Sequence, residues 1–118
     1  MKEEDRPVYL RLRDCIAAQI LEGRFKDGDM LPSVRAFAAQ HDANPLTVAK
    51  AYQIFQDEGL IVVKRGIGMF VAHGATERLL ISERELFLKQ YWPRICGIIR
   101  RLDLDPEELL EDVRKTPA

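Results

Sequence analysis

The chain has 118 residues, with 18 Lys and Arg against 19 Asp and Glu, so its formal net charge is −1. A chain of this length suits one compact domain, or a small domain with an appendage. The balanced charge excludes a general polyanion binder, so any nucleic-acid role must depend on local arrangement. No run approaches the roughly 18 apolar residues of a membrane span, and residues 1–10 lack the layout of a signal peptide. We therefore expect a cytoplasmic protein that has no membrane partner.

Two helices are predicted in the first 40 residues. The first carries an apolar stripe at every fourth position, and Gly23 is a typical stop signal after it. The stripe consists of Val8, Leu12, Ile16 and Ile20. After the turn-rich connector 24–32, Ser33 can cap a second, short helix. Its inward-facing residues are Val34, Phe37 and Ala38.

Asn44 and Pro45 indicate where a third helix begins. Proline costs about 3 kcal/mol or more in a helix interior, but almost nothing at the first position, where its missing N–H would be unpaired anyway. Asn44, just before it, can accept a hydrogen bond from a first-turn N–H. The helix then buries residues at the i, i+3, i+4, i+7 spacing, and Gly59 ends it. These buried residues are Val48, Ala51, Tyr52 and Phe55.

A β-hairpin follows the third helix. Its strands are the apolar runs Leu60–Val63 and Met69–Ala72, joined by the basic, glycine-containing tip 65–68. The order helix, short helix, tight turn, helix, hairpin is that of a winged helix-turn-helix. The sequence thus predicts a mostly α fold with a small β-hairpin, in which residues 1–74 form a DNA-binding domain.

The third helix carries the candidate reading face. In a helix-turn-helix, this helix enters the DNA major groove with its N-terminal residues toward the base edges. Lys50 can reach guanine or phosphate, Gln53 can pair with adenine, and Leu46 can meet a thymine methyl group. Pro45 would stiffen the end that enters the groove. The face opposite the buried stripe consists of Leu46, Ala49, Lys50 and Gln53, with Thr47 at its start.

The run from Gly28 to Val71 resembles the DNA-binding domain of the GntR family of transcription regulators, and the similarity extends over about residues 7–72. The shared motifs, in order, are G-x-x-LPS-x-R at 28–35, TV-x-x-AY at 47–52, EGL at 58–60 and G-x-G-x-FV at 66–71. The Asn-Pro pair before Leu46 and the short helical tail resemble the YtrA-like subfamily. This resemblance implies a bacterial sequence-specific regulator, here expected to be a repressor, whose partner is double-stranded operator DNA. YtrA-like regulators often lie beside transporter operons that they control.

The resemblance also implies which residues contact DNA. On the two helices of the helix-turn-helix, they are Arg35, Asn44, Leu46, Thr47 and Lys50. At the hairpin tip, Arg65 and Gly66, with Gly68 beside them, would place the wing in the minor groove. A narrow groove attracts a guanidinium group, and glycine lets the backbone approach closely.

Residues 75–118 are expected to form a helical dimerisation region. A capping box at Ser82–Glu85 predicts a helix start, and Pro93 predicts either a kink or two abutting helices. Asp105 and Pro106 predict the start of a last short helix. The long helix is apolar on two sides, so it needs both its own domain and a second subunit as partners. The expected interface residues are Phe87, Leu88, Tyr91, Trp92, Ile95, Ile98, Ile99 and Leu102.

Two other classes of function, an enzyme and a protein-binding module, are alternatives for this sequence. An enzyme is disfavoured because the G-x-G at 66–68 lacks the following helix of a phosphate loop, and no acid, base and nucleophile set emerges. His41 and His73 have no neighbours at metal-ligand spacing, so we expect no metal or other cofactor. A winged-helix module that binds protein stays open as the alternative. The sequence leaves the effector molecule and the operator sequence open.

Overall fold

The structure is a computed structural model that describes residues 7–117. The expectation about a signal peptide falls largely on residues 1–6, which lie outside the described residues. By its internal contacts the chain divides into two compact units, one ending at Ile81 and the other beginning at Ser82.

Three helices of the first unit confirm the sequence prediction. They are α1 (Val8–Leu21), α2 (Val34–Gln40) and α3 (Pro45–Asp57). The Ser33 hydroxyl accepts a hydrogen bond of 3.1 Å from the backbone N–H of Ala36, so it caps α2 as expected. The chain leaves α1 through Gly23, whose φ of 85° is in the left-handed region that glycine tolerates.

The predicted hairpin is present, and each of its strands lies one residue closer to the tip than predicted. Strands β1 (Ile61–Lys64) and β2 (Gly68–Val71) pair antiparallel, with Ile61 opposite Val71 and Lys64 opposite Gly68. Met30 forms an isolated bridge with Phe70, so the connector lies along the outer edge of β2. The strands extend to Lys64 and Gly68 because the tip needs only a tight turn, which the bond from Ile67 N–H to the Lys64 carbonyl closes at 3.0 Å.

One hydrophobic core holds the first unit together. The four residues predicted to be buried on α3 are all 3% exposed or less, which confirms the helical stripe. Side chains from α1, α2, the connector and both strands complete this core. Ala75 and Leu79 also belong to it, so the core extends past Gly74 into the following helix.

That following helix, α4 (Ala75–Leu86), begins seven residues before the predicted capping box. The expectation of a start at Ser82–Glu85 is wrong, because Ser82 lies in the interior of α4. A remote residue sets the start instead. The Asp27 carboxylate accepts hydrogen bonds from the backbone N–H of Gly74 at 2.8 Å, and from the Thr76 backbone N–H and hydroxyl at 3.1 and 2.7 Å.

The second unit contains one π-helical turn (Phe87–Tyr91) followed by α5 (Trp92–Arg101) and α6 (Pro106–Lys115). Pro93 lies in the first turn of α5, directly after the π turn, where the Trp92 N–H bonds to the Phe87 carbonyl five residues back. A wider turn relieves the clash of a proline ring with the preceding turn. Pro93 is thus accommodated by a local widening of the helix.

The last helix begins as the sequence predicts. The Asp105 side chain accepts a 3.0 Å hydrogen bond from the Glu107 N–H, and Pro106 occupies the first turn. None of the helices between residues 7 and 117 has both the length and the apolar character needed to cross a lipid bilayer.

Candidate nucleic-acid interface

The N-terminal end of α3 has the geometry that the sequence predicts. Asn44 is the N-cap, and its side-chain oxygen accepts a 2.8 Å hydrogen bond from the Leu46 N–H. The Asn44 carbonyl accepts from Thr47 and Val48, at 3.0 and 3.1 Å. Pro45 occupies the first turn, where its fixed φ suits the helix. The first turn is therefore rigid, and the positive end of the helix dipole there favours an anion.

The exposed face of α3 presents an apolar side chain beside a cation. Leu46 is 80% exposed, so its side chain is accessible to a partner. Lys50 and Gln53 are exposed on the same helix, while Thr47 is half-buried. Arg35 is exposed on α2, two positions after the Ser33 cap. The predicted contacts on the two helices are therefore accessible within one compact unit.

Tyr9 on α1 forms a contact with this face that the sequence did not indicate. The Lys50 ammonium nitrogen lies 4.0 Å from the centroid of the Tyr9 ring, the geometry of a cation–π interaction. Tyr9 is half-buried and Lys50 is exposed. The two residues are 41 positions apart, and no local pattern reports that α1 lies beside the start of α3.

Gln53 differs from the other residues of the face. Its side-chain amide donates a 2.8 Å hydrogen bond to the Asp57 carboxylate one turn further along α3. This bond holds the amide toward the C-terminal end of the helix, next to a negative charge. In the free protein, the Gln53 amide is therefore directed away from Leu46, Thr47 and Lys50. Contact with adenine would require the hydrogen bond to Asp57 to break.

A buried hydrogen bond fixes α3 to the start of α2. The Tyr52 hydroxyl donates to the Pro32 carbonyl at 2.8 Å, and burial raises the pKa of Tyr52 to about 12. The tyrosine therefore stays a neutral donor at physiological pH. The Phe37 ring packs between Tyr52 and His41, with ring centroids 5.8 and 4.0 Å away. These contacts hold the helix that carries Arg35 against the helix that carries Lys50.

The predicted wing residues lie at the tip of the hairpin. Arg65 and Gly66 are exposed, and Gly68 is half-buried at the start of β2. Gly66 has a φ of 76°, which strains any residue with a Cβ atom, so the tight tip requires glycine there. Next to the tip, the Lys64 ammonium lies 4.6 Å from the centroid of the Phe70 ring. The wing therefore presents two cations on a short, well-defined turn.

The second unit presents an apolar groove of about 720 Å³. Five of the eight residues expected at a dimer interface line it, while Leu88, Tyr91 and Leu102 are exposed outside it. The groove includes residues of α6 that the interface prediction omitted, although their i, i+3, i+4, i+7 spacing could have indicated them. These α6 residues are Pro106, Leu109, Leu110 and Val113; Leu104, just before α6, and the carboxylate-bearing Asp112 also line the groove.

Comparison with known proteins places this geometry in a family. The family model for bacterial regulatory proteins of the gntR family matches residues 8–71. The HTH-type transcriptional repressor YtrA of Bacillus subtilis is 36% identical over 112 residues, which cover 95% of this chain and 85% of the repressor.

Two solved structures extend the comparison. The crystal structure of a transcriptional regulator from Oenococcus oeni is 32% identical and has a TM-score of 0.70, covering 97% of this chain and 93% of that one. The DNA-binding domain of AraR, crystallised in complex with operator ORR3, is 26% identical with a TM-score of 0.53, over 56% of this chain and 80% of that domain. The chain therefore belongs to the gntR family of bacterial regulatory proteins, and it is a winged-helix DNA-binding transcription regulator.

Proposed function

We propose that this protein is a repressor that binds a palindromic operator as a two-fold homodimer in the bacterial cytoplasm. The observation that carries the DNA-binding part is the start of α3, where a capped, rigid first turn presents an 80% exposed Leu46 close to Lys50. The similarity to the repressor YtrA supports repression, and the AraR–operator complex supports operator DNA as the partner.

The proposed contacts divide by chemistry. The positive end of the α3 helix dipole and the Arg35 guanidinium suit phosphate oxygens, which position the protein without reading sequence. Lys50 and Leu46 suit the donors, acceptors and methyl groups of the major groove. Arg65, on a tip tightened by Gly66, suits the negative potential of a narrow minor groove.

The homodimer is proposed from the second unit. Among the described residues, no apolar side chain after Leu79 is fully buried, although this stretch holds Phe87, Trp92 and several isoleucines. An apolar surface of this kind is unusual on a soluble monomer and favours an interface. The groove is therefore proposed to pack against the same groove of a second copy, as a two-fold axis requires. The domain division at Gly74 stays a proposal, with Ala75 and Leu79 contributing to the core of the first unit.

A dimer also suits the near-zero net charge. One module with a formal charge of −1 over the whole chain gains little from general attraction to DNA, so two linked modules are needed for useful affinity. Two recognition helices on one face of the duplex would read half-sites about 34 Å apart. We propose regulation of neighbouring genes, with a transporter operon as the first candidate and no enzymatic activity of its own.

A mobility-shift titration tests this function. The full chain is titrated against DNA from upstream of its own operon, and against the same fragment with its inverted repeat scrambled. We expect specific binding by a dimer and a Kd that rises steeply with salt. Equal affinity for both fragments, or no shift at all, would instead favour a winged-helix module that binds protein.

A further inference from the structure

The aromatic ring of Tyr9 holds the one lysine of the α3 reading face. The Lys50 ammonium nitrogen lies 4.0 Å from the ring centroid, a separation at which the ammonium is attracted to the negative face of the ring. Tyr9 is half-buried on α1, so its ring has a defined position, whereas Lys50 is exposed. The contact thus joins a fixed platform to a side chain that would otherwise sample many rotamers.

This contact bears on DNA recognition in two ways: it reduces the conformational entropy that Lys50 still has to lose on binding, and it restricts the direction of the Lys50 N–H groups. A lysine has four rotatable bonds, and fixing it at a base or phosphate normally costs much of that freedom. A lysine that already rests on a ring has lost part of the freedom before DNA arrives. The ring covers one side of the ammonium, so its remaining N–H groups are directed away from α1.

We propose that Tyr9 is a positioning residue for operator recognition, holding Lys50 in the direction from which it contacts the operator. This inference rests on the proposed function, because it assigns Tyr9 to the readout that Lys50 performs. Lys64 offers an internal comparison, since its ammonium has a different partner, the Phe70 ring at 4.6 Å. Tyr9 should therefore couple to Lys50 and be independent of Lys64.

The test is a double-mutant cycle in the full chain. Kd for the operator and for random DNA is measured for wild type, Tyr9→Phe, Tyr9→Leu, Lys50→Ala and Lys64→Ala, and for the double variants that combine Tyr9→Leu with each lysine substitution. Tyr9→Phe keeps the ring and should bind like wild type, whereas Tyr9→Leu should weaken operator binding roughly two- to fivefold per half-site. In the Lys50→Ala background, Tyr9→Leu should have no further effect. In the Lys64→Ala background it should keep its full effect.

A second measurement does not involve DNA. In the free protein, the ring current of Tyr9 should shift the Lys50 ε-proton resonances upfield. The shift should persist in Tyr9→Phe and vanish in Tyr9→Leu, while thermal unfolding shows that both variants are folded.

Several results would overturn the inference. Equal losses for Tyr9→Leu with and without Lys50 would mean that Tyr9 acts through stability or through its own contact with DNA. A loss in Tyr9→Phe as large as in Tyr9→Leu would assign the effect to the hydroxyl group. If the wild-type protein binds no operator, the proposed function itself is wrong. That result is distinct from every outcome of the variant comparisons, which all start from a wild type that binds.

Discussion

The start of α3 combines an apolar, a hydroxyl and a cationic side chain within two helical turns: Leu46, Thr47 and Lys50. Leu46 suits a thymine methyl group, whereas the Thr47 hydroxyl and the Lys50 ammonium can each contact a base edge or a phosphate. Lysine is a compact point charge, unlike the planar fork of arginine, so its chemistry does not by itself select one of these targets. The distinction is measurable, because base contacts depend on sequence and phosphate contacts do not.

Lys50→Ala should weaken operator binding by about 1–3 kcal/mol if Lys50 contacts a base, with relaxed preference at one position of each half-site. If Lys50 contacts only phosphate, affinity should fall alike on all sequences, and the salt dependence should become shallower. Titrations with single-base operator variants at two salt concentrations separate the two results. Lys26→Ala, which removes the same charge from the connector, is the matched control. Unchanged affinity on specific and random DNA would exclude Lys50 from the interface.

At the scale of elements, two helix starts are built in different ways. The cap of α3 is local, with Asn44 bonded to the N–H of Leu46 two residues on. The cap of α4 is remote, because Asp27 accepts from Gly74 and Thr76 across at least 47 positions. A local cap acts on the helix alone, whereas a remote cap also ties the connector to α4. Removal of the local cap should therefore disturb α3 alone, whereas removal of the remote cap should disturb both α4 and its link to the connector.

For the local cap, Asn44→Ala should destabilise the protein by about 1 kcal/mol through the lost hydrogen bond, and it should also weaken DNA binding. Pro45→Ala should cost little, because its position in the first turn needs no N–H donor. Chemical denaturation of the two variants checks the order. If Pro45→Ala were the less stable of the two, proline would be contributing more than a compatible first-turn conformation.

For the remote cap, the prediction concerns pH. The hydrogen bond from the Thr76 hydroxyl, followed by the Gly74 and Thr76 backbone N–H groups, lowers the pKa of Asp27 below its ordinary 3.8. A carboxylate with a lowered folded-state pKa stabilises the fold above its unfolded pKa, and this contribution is lost as the pH falls through the folded value. Asp27→Ala should therefore lower the Tm at pH 7, and the difference from wild type should shrink below about pH 4.

Thermal unfolding from pH 7 to pH 3 measures that difference. Asp29→Ala serves as the control, since the Asp29 carboxylate accepts its hydrogen bond from the Lys26 backbone N–H, within the connector. A Tm difference that stays constant over the whole range would show that the charge of Asp27 is not what stabilises the start of α4.

At the scale of the whole molecule, the two units differ in how they bury apolar surface. The first has a core of fully buried side chains from Ile16 to Leu79. The second leaves Phe87 and Trp92 more than 40% exposed, with their rings 6.2 Å apart. Large aromatic residues of this kind are enriched in the centre of protein interfaces. A second chain would supply the burial that the isolated unit lacks.

Ile98→Glu should disrupt this proposed dimer, because the two-fold axis would bury two unpaired carboxylates, each costing several kcal/mol. Light scattering should then give a monomer at micromolar concentration, and operator affinity should fall roughly hundredfold or more as the linkage between modules is lost. Gln90→Glu adds the same charge to the second unit outside the groove, and it should remain dimeric. A wild-type monomer at micromolar concentration, or a dimeric Ile98→Glu, would contradict the proposal.

The local pattern of residues determined most of the first unit. The i, i+3, i+4, i+7 spacing gave the buried face of α3, and Ser33, Asn44 and Asp105 marked helix starts that the structure confirms. These features depend on hydrogen bonds and side-chain contacts within one or two turns, so the sequence contains them directly. The same periodicity identified Leu46 and Lys50 as the exposed residues of the helix.

The tertiary structure alone decided the features that depend on distant residues. Helix α4 begins at Ala75 and not at the capping box of Ser82. The earlier start is stabilised because Asp27, in the connector, caps the first turn and Leu79 is buried in the core. The ring beneath Lys50 likewise comes from α1, since only packing brings Tyr9 beside α3. Local propensity differs by only about 1 kcal/mol between alternative starts, so a remote hydrogen-bonding group or a buried side chain can select among them.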